Sequence, residues 1–355
     1  MLLIDGSLGE GGGQILRTSL GLSCLTRTPF RLVNIRKGRR RPGILPQHLT
    51  CIRALGNISR AVTDGAAIGS TEIIFRPGES KGGDYLFDIG TAGATTLLFQ
   101  ALLPPLLLSA DRPSHIILRG GTHVPFSPCF DYIRDVFLPV LQPMGIDVRV
   151  SIGRCGFYPK GGGEMRAEIT PAGGIRPLKI GIRGGLKKIA MTSGVGNLPL
   201  SIAERQCAAA VSFLEEYRLH ADCRSLSVEA FGKGTFLFLR ADAEFAAAGF
   251  STLGELGKKA EQVGTDTARE FLAYAESGRG IDPHLADQLI PFLAFAGGES
   301  EFETSRITDH LLTNLHITEQ FTGIKYSVEG AAGMPGKIRI SGKGLFRLDS
   351  GKTDK

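Results

Sequence analysis

The stretch Asp5-Gly6-Ser7-Leu8-Gly9-Glu10-Gly11-Gly12-Gly13-Gln14-Ile15-Leu16-Arg17 follows a short apolar run at residues 2–4. Clustered glycines suit a tight turn and disfavour both helix and strand interiors. Ile15, Leu16, Leu20 and Cys24 then recur at helical spacing. The reading is strand, glycine turn, helix. A helix that starts this way leaves backbone N–H groups free at its N-terminus, where they and the helix dipole favour phosphate. Glu10 and Arg17 bracket the turn. A carboxylate beside phosphates is a natural magnesium ligand, and an arginine can fork onto a phosphate.

Outward from this turn a unit recurs. In the first copy a strand at 31–35 follows the helix, then a basic loop, a helix at 45–59 and a strand at 71–75. The second copy runs from a strand at 85–89 through Gly90-Thr91-Ala92-Gly93 to a helix at 94–108 and a strand at 115–118. It ends with a helix at 131–141 and strands at 147–152 and 164–169. The third opens at 178–182, is interrupted, and resumes with a helix at 285–295, a strand at 300–304, a helix at 309–320 and strands at 325–328 and 337–341. Each unit is too small to bury its own sheet, so the units must pack on one another. Strands and helices mix throughout, which predicts an α/β or α+β fold.

The interruption, residues 185–277, reads as an inserted small α/β domain, leaving 1–184 and 278–345 as a large domain. Within the insert we expect a helix at 200–217, a hairpin of 225–230 with 235–240 around Gly232-Lys233-Gly234, and a long helix at 253–275. Residues 346–355 are polar and predicted to form a frayed tail.

Composition narrows the class. The chain has 355 residues, 42% hydrophobic and 21% charged, with 48 glycines, no tryptophan and a net charge of +6. Arg36, Lys37, Arg39, Arg40 and Arg41 lie within one six-residue loop, which favours a phosphate-rich partner. Cys24, Cys51, Cys129, Cys155, Cys207 and Cys223 are scattered without a C-x-x-C pair. That argues against a zinc ribbon, and the contexts read as small buried hydrophobes in a reducing compartment. No basic leader opens the chain, and the apolar run 97–110 is interrupted by Gln100, Pro104 and Pro105. It is shorter than the about 20 residues a membrane span needs. The expectation is a cytoplasmic protein with no membrane segment.

Common nucleotide loops are missing. Gly351-Lys352-Thr353 comes closest to a P-loop, but Phe346 holds the place of its first glycine. The glycine turn does not fit G-x-G-x-x-G, because residue 14 is Gln. Three further segments carry polar chemistry. The Arg loop leads into Gln47-His48, where arginines can grip a phosphate while His48 donates a hydrogen bond. His284-Leu285-Ala286-Asp287-Gln288 opens a helix, with Asp287 and Gln288 pointing about 100° apart. In Thr308-Asp309-His310-Leu311-Leu312-Thr313-Asn314, Thr308 or Asp309 can cap a helix and place His310 in its first turn. A helix N-terminus disfavours imidazolium, so a neutral ring there can attack phosphorus.

Together these segments resemble the RNA 3′-terminal phosphate cyclase family. The similarity also includes Ile35-Arg36, Pro42-Gly43, Gly156-Phe157-Tyr158-Pro159 and Gly161-Gly162-Gly163, and it runs in family order along almost the whole chain. The resemblance implies a large domain of three βαβαββ-type repeats, as in carboxyvinyl transferases, with a small inserted domain. It implies an ATP-dependent reaction in which a histidine takes AMP from ATP, AMP passes to an RNA 3′-phosphate, and the neighbouring 2′-hydroxyl closes a 2′,3′-cyclic phosphate. By position it makes His310 the nucleophile and Glu10 a ligand of Mg2+ or Mn2+. Gln100, His284, Leu285, Ala286, Asp287 and Gln288 then line the nucleotide site. Arg17, Arg36, Arg39 and His48 handle phosphates of ATP or the RNA end. Position 284 is His where the family often carries Tyr, and the basic loop is more cationic than the motif requires. The alternatives are a non-catalytic cyclase-like protein that binds RNA in ribosome assembly, and a carboxyvinyl transferase. The oligomeric state stays open, a homodimer included.

Overall fold

The computed structural model describes residues 1–344, so the tail expected at 346–355 lies outside the described residues. Strand β1 (Leu2–Asp5) enters the glycine turn and helix α1 (Gly13–Thr26). Strand β2 (Phe30–Val33), helix α2 (Pro46–Ser59), β3 (Val62–Asp64) and β4 (Ile73–Arg76) follow. β2 runs parallel to β1 and antiparallel to β4, and β3 closes the edge, giving the order β1-β2-β4-β3. Phe30 and Leu32 face inward while Arg31 faces solvent, the period of two that a half-buried strand requires.

The chain builds this sheet twice more. Strand β5 (Asp84–Asp88), helix α3 (Thr95–Leu108) and β6 (Ser114–Gly120) lead to a helical segment made of α4 (Phe130–Tyr132), a π-helical turn (Ile133–Phe137) and α5 (Leu138–Leu141). Strands β7 (Val148–Arg154) and β8 (Gly163–Ile169) then complete the order β5-β6-β8-β7. The third sheet starts at β9 (Lys179–Ile180), and the insert intervenes there. It consists of β10 (Leu186–Gly196), α6 (Leu200–Glu216), β11 (Asp222–Ser227), β12 (Gly234–Ala243), β13 (Ala247–Leu253) and α7 (Ala260–Ser277). Helix α8 (Leu285–Leu293), β14 (Glu299–Thr304), α9 (Asp309–Thr322), β15 (Lys325–Glu329) and β16 (Gly336–Ser341) finish the order β9-β14-β16-β15, with the same parallel and antiparallel senses.

Helices from all three units share one core. Phe30, Phe99, Phe137, Phe292 and Phe302 are essentially without solvent contact, and each such side chain contributes roughly 1.5–3 kcal/mol by burial. The insert has its own apolar cluster, in which Phe250, Phe271 and Tyr274 meet Leu237 and Leu239. Asp282 ties the insert to this body, accepting from the Gly249 N–H of β13 at 3.4 Å. Its carboxylate accepts from the Tyr132 hydroxyl at 3.0 Å and from the backbone N–H groups of His284 and Leu285 at 2.9 Å, so it also caps α8.

Three expectations need correction. The segments 225–230 and 235–240 do not form a hairpin. β10 lies between β11 and β12, pairing parallel with the first and antiparallel with the second. The loop between those strands carries Phe231 and is too long for a two-residue turn. The helix expected from residue 253 begins at Ala260. Residues 247–253 form β13, because Gly249, Ser251 and Thr252 are poor helix formers and the backbone of β12 offers a ladder. Cys207 and Cys223 are joined in a disulfide, their Cα atoms 5.6 Å apart, because α6 lies over β11. The other four cysteines are buried free thiols, whose pKa values burial pushes up to about 12. Among the described residues no helix is long and apolar enough to cross a membrane.

Candidate active site

The helix starts of all three units and one helix of the insert surround a cleft of about 800 Å3. Glycine is required on its floor. A Cβ at Gly13 would fall 2.2 Å from His48 Nε2, and one at Gly9, where φ is +55°, would fall 2.1 Å from Thr313 Oγ1. The turn can therefore lie flat against α2 and α9. No side chain caps α1 at Gly12, which keeps its first N–H groups available to a ligand.

His310 stands at the head of α9. Thr308 caps that helix, its hydroxyl accepting from the Leu311 N–H at 3.1 Å. The imidazole is 47% exposed, so it is open to the cleft and not sealed in the core. Its Nδ1 meets Gln14 Oε1 at 2.5 Å, while Gln14 Nε2 donates to Asp287 Oδ2 at 2.9 Å and to the His310 carbonyl at 3.2 Å. The amide donors are thus spent elsewhere, and Oε1 is left to accept the Nδ1 proton. As placed, Nε2 shares a proton with Glu10, and the neutral ring has its lone pair on Nε2 once Glu10 leaves it. That atom contacts Glu10 Oε2 at 2.5 Å, and the other Glu10 oxygen accepts from Arg39 at 2.6 Å. Burial lowers the pKa of His310. Arg17, Arg39 and His284 lower it further, and Glu10 opposes them.

Phosphate-handling candidates gather on one wall. His48 occupies the first turn of α2, where Nδ1 accepts from the Leu45 N–H at 3.2 Å. The proton of the neutral ring therefore sits on Nε2, aimed at the glycine turn. Burial, with Arg17 and Arg36 nearby, pulls the imidazole down to about 3. Arg17 and Arg36 line the cleft and have no ion pair among the described residues. Arg36 also braces its own loop, donating to the carbonyls of Arg41 and Gly43 at 2.6 and 3.1 Å.

The opposite wall carries the nucleotide candidates. Gln100 on α3 donates to Gln288 Oε1 at 2.5 Å, and Gln288 donates to the His284 carbonyl at 2.6 Å. His284 Nε2 meets Glu270 at 2.8 Å. Burial pulls the His284 imidazole down, but Glu270, Asp282 and Asp287 together outweigh it and set it above its ordinary value. Burial raises Asp287 to about 7. Leu285 and Ala286 bring no side chain to the cleft. Both are fully buried, and their side chains face the core because they occupy the inward stripe of α8. The remaining ten candidate residues all line the cleft.

The sequence did not single out Gln14, Asn314 or Glu270. Asn314 donates to the Asp287 carbonyl at 2.9 Å and accepts from Thr18 at 2.7 Å, locking α1, α8 and α9 together. Gln14 and Asn314 stand in the very motifs quoted, and a polar side chain in an inward helix register was the available signal. Glu270 comes from the insert and had none. The spacing Gly78-Glu79-Ser80-Lys81-Gly82 matches a hydrolase nucleophile elbow, but Ser80 is buried in a loop between two strands.

The family model described as RNA 3′-terminal phosphate cyclase matches residues 8–328. The chain is 44% identical to the RNA 3′-terminal phosphate cyclase of Staphylothermus marinus, covering 96% of this chain and 98% of that protein. It is 40% identical to that of Pyrococcus furiosus, with coverage of 96% and 98%, and 43% identical to that of Methylococcus capsulatus, with 96% and 97%.

Proposed function

Because the chain belongs to the RNA 3′-terminal phosphate cyclase family, we propose that it converts an RNA 3′-terminal phosphate to a 2′,3′-cyclic phosphate at the expense of ATP, through an adenylated His310. The observation that carries this reading is the Gln14 contact, which fixes the His310 proton on Nδ1 and turns the Nε2 lone pair toward the glycine turn and its arginines. In the first step Nε2 attacks the α-phosphorus of ATP, the P–N bond forms, and pyrophosphate departs. In the second an oxygen of the RNA 3′-phosphate displaces the imidazole, and the P–N bond breaks. In the third the 2′-oxygen attacks the activated 3′-phosphorus, loses its proton, and AMP leaves. Each displacement has a better leaving group than the unassisted reaction, and the last is intramolecular.

The residues suit these tasks. Arg17, Arg36 and Arg39 offset phosphate charge, and His48 donates from Nε2 while staying neutral. Gln100, Gln288 and His284 offer hydrogen bonds and a stacking ring to a nucleotide. Glu10 is a hard oxygen donor beside the glycine turn, and one carboxylate with phosphate oxygens and water is the usual setting for Mg2+ or Mn2+. Glu10 would hold such an ion, which would neutralise charge on the phosphates. Leaving His310 for the ion would also uncover Nε2.

The test is an RNA oligonucleotide labelled at its 3′-phosphate, incubated with the protein, ATP and Mg2+. The proposal expects an ATP-dependent product whose label resists phosphatase. A label that stays phosphatase-sensitive with wild-type protein would overturn it.

A further inference from the structure

Outside the cleft, two loops held together by hydrogen bonds present aromatic rings to solvent. Phe231, between β11 and β12, is 61% exposed, and Tyr158, between β7 and β8, is 68% exposed. The guanidinium of Arg154 lies 6.0 Å from the Phe231 ring centroid and the Lys160 ammonium 5.9 Å from it. Neither cation has an ion pair among the described residues, and Lys233 in the same loop has none either. Glu229 is the one carboxylate of that loop.

The arrangement is built and not a loose tip. The Cys155 N–H donates to the Glu229 carbonyl at 2.8 Å, and Arg154 Nε donates to the Gly162 carbonyl at 2.5 Å. Asn197 holds the carbonyls of Ala230 and Gly232 at 2.8 and 3.2 Å. A run of contacts joins this place to the cleft. The turn at Gly161 lies against Thr91 and Ala92, and two residues on the Ala94 N–H donates to Gln47, the neighbour of His48 on the cleft wall.

Every nucleobase has a π face, and every nucleotide carries a phosphate. Exposed aromatic rings interleaved with unpaired cations are the chemistry that grips a single strand without reading its sequence. We infer that Phe231 and Tyr158, with Arg154 and Lys160, form a stacking platform for the RNA strand a few nucleotides upstream of its 3′ end. The inference rests on the RNA-end reading of the cleft. It gives the insert, which supplies Phe231, a part in substrate binding.

The test is fluorescence anisotropy with two single-stranded RNAs ending in a 3′-phosphate, a dinucleotide and a dodecamer. The proteins are the wild-type chain, Phe231→Ala, Tyr158→Ala and the pair Arg154→Gln with Lys160→Gln. Each aromatic variant should bind the dodecamer about tenfold more weakly and the dinucleotide as wild type does. The cation variant should show a shallower dependence of dodecamer affinity on salt. Transfer of label from α-labelled ATP should be unchanged in all of them. Equal dodecamer affinity across the set would overturn the platform. So would sedimentation showing a wild-type dimer that Phe231→Ala breaks while RNA affinity stays the same, because the patch would then serve a second copy of the chain. Wild-type protein that ignores the dinucleotide but binds the dodecamer through Phe231 would contradict the cleft reading and leave the platform standing.

Discussion

Gln14 Oε1 lies 2.5 Å from Nδ1 of His310, and the same amide donates to Asp287 at 2.9 Å. One side chain from the first repeat thus sets the tautomer and the ring direction of a histidine in the third. Gln14→Ala should remove that control without emptying the site. We expect transfer of AMP to the protein to slow by about 100-fold while ATP affinity, measured by calorimetry, changes little. An equal fall in ATP affinity would make Gln14 a binding residue instead.

Glu10 contacts both Arg39 and the His310 Nε2. Glu10→Gln should raise the Mg2+ or Mn2+ concentration needed for half-maximal AMP transfer by about tenfold or more, since second-sphere and ligand changes commonly cost 10–100-fold in metal affinity. An unchanged metal titration would remove Glu10 from the metal.

His48 is held neutral, its pKa pulled from the ordinary 6.5 to about 3 by burial and by Arg17 and Arg36. Between these values the unfolded chain binds the proton and the folded chain does not, so stability falls as pH drops through this window. At about 1.4 kcal/mol per unit, the loss by pH 4 is on the order of 3 kcal/mol. Chemical denaturation from pH 7 to pH 4 should show a shallower acid slope in His48→Gln than in wild type.

Asp287 has the opposite sign. Burial raises its pKa from 3.8 to about 7, so in that window the folded chain holds the extra proton. Its contribution to stability is present at low pH and is lost as pH rises through 7. Asp287→Asn should lack this slope, and its unfolding free energy, measured by chemical denaturation, should gain on wild type between pH 5 and pH 8 by on the order of 1–3 kcal/mol. A gap that is constant across that range would contradict the shift.

Much of this was legible because it is local. The glycine turn, the Thr308 cap and the alternation of Phe30 with Arg31 and Leu32 each report their structure within a few residues. The basic loop and His310 announced themselves as residue types out of place in a core. What could not be read depends on distant partners. Whether β11 pairs with β12 or with β10 is settled by β10, some thirty residues earlier. Cys207 and Cys223 meet only because α6 crosses β11. Glu270 reaches His284 only through the seating of the insert. Leu285 and Ala286 sit beside site residues in sequence, yet the 100° helical step turns them inward.

The central claim is that the Nε2 of His310 takes AMP from ATP. Protein incubated with α-labelled ATP and Mg2+ should carry an acid-labile, base-stable label, and peptide mapping should place it on His310. His310→Ala should fold, shown by an unchanged circular dichroism spectrum, and take up no label. Label that persists in His310→Ala, or that maps to another residue, would contradict the account.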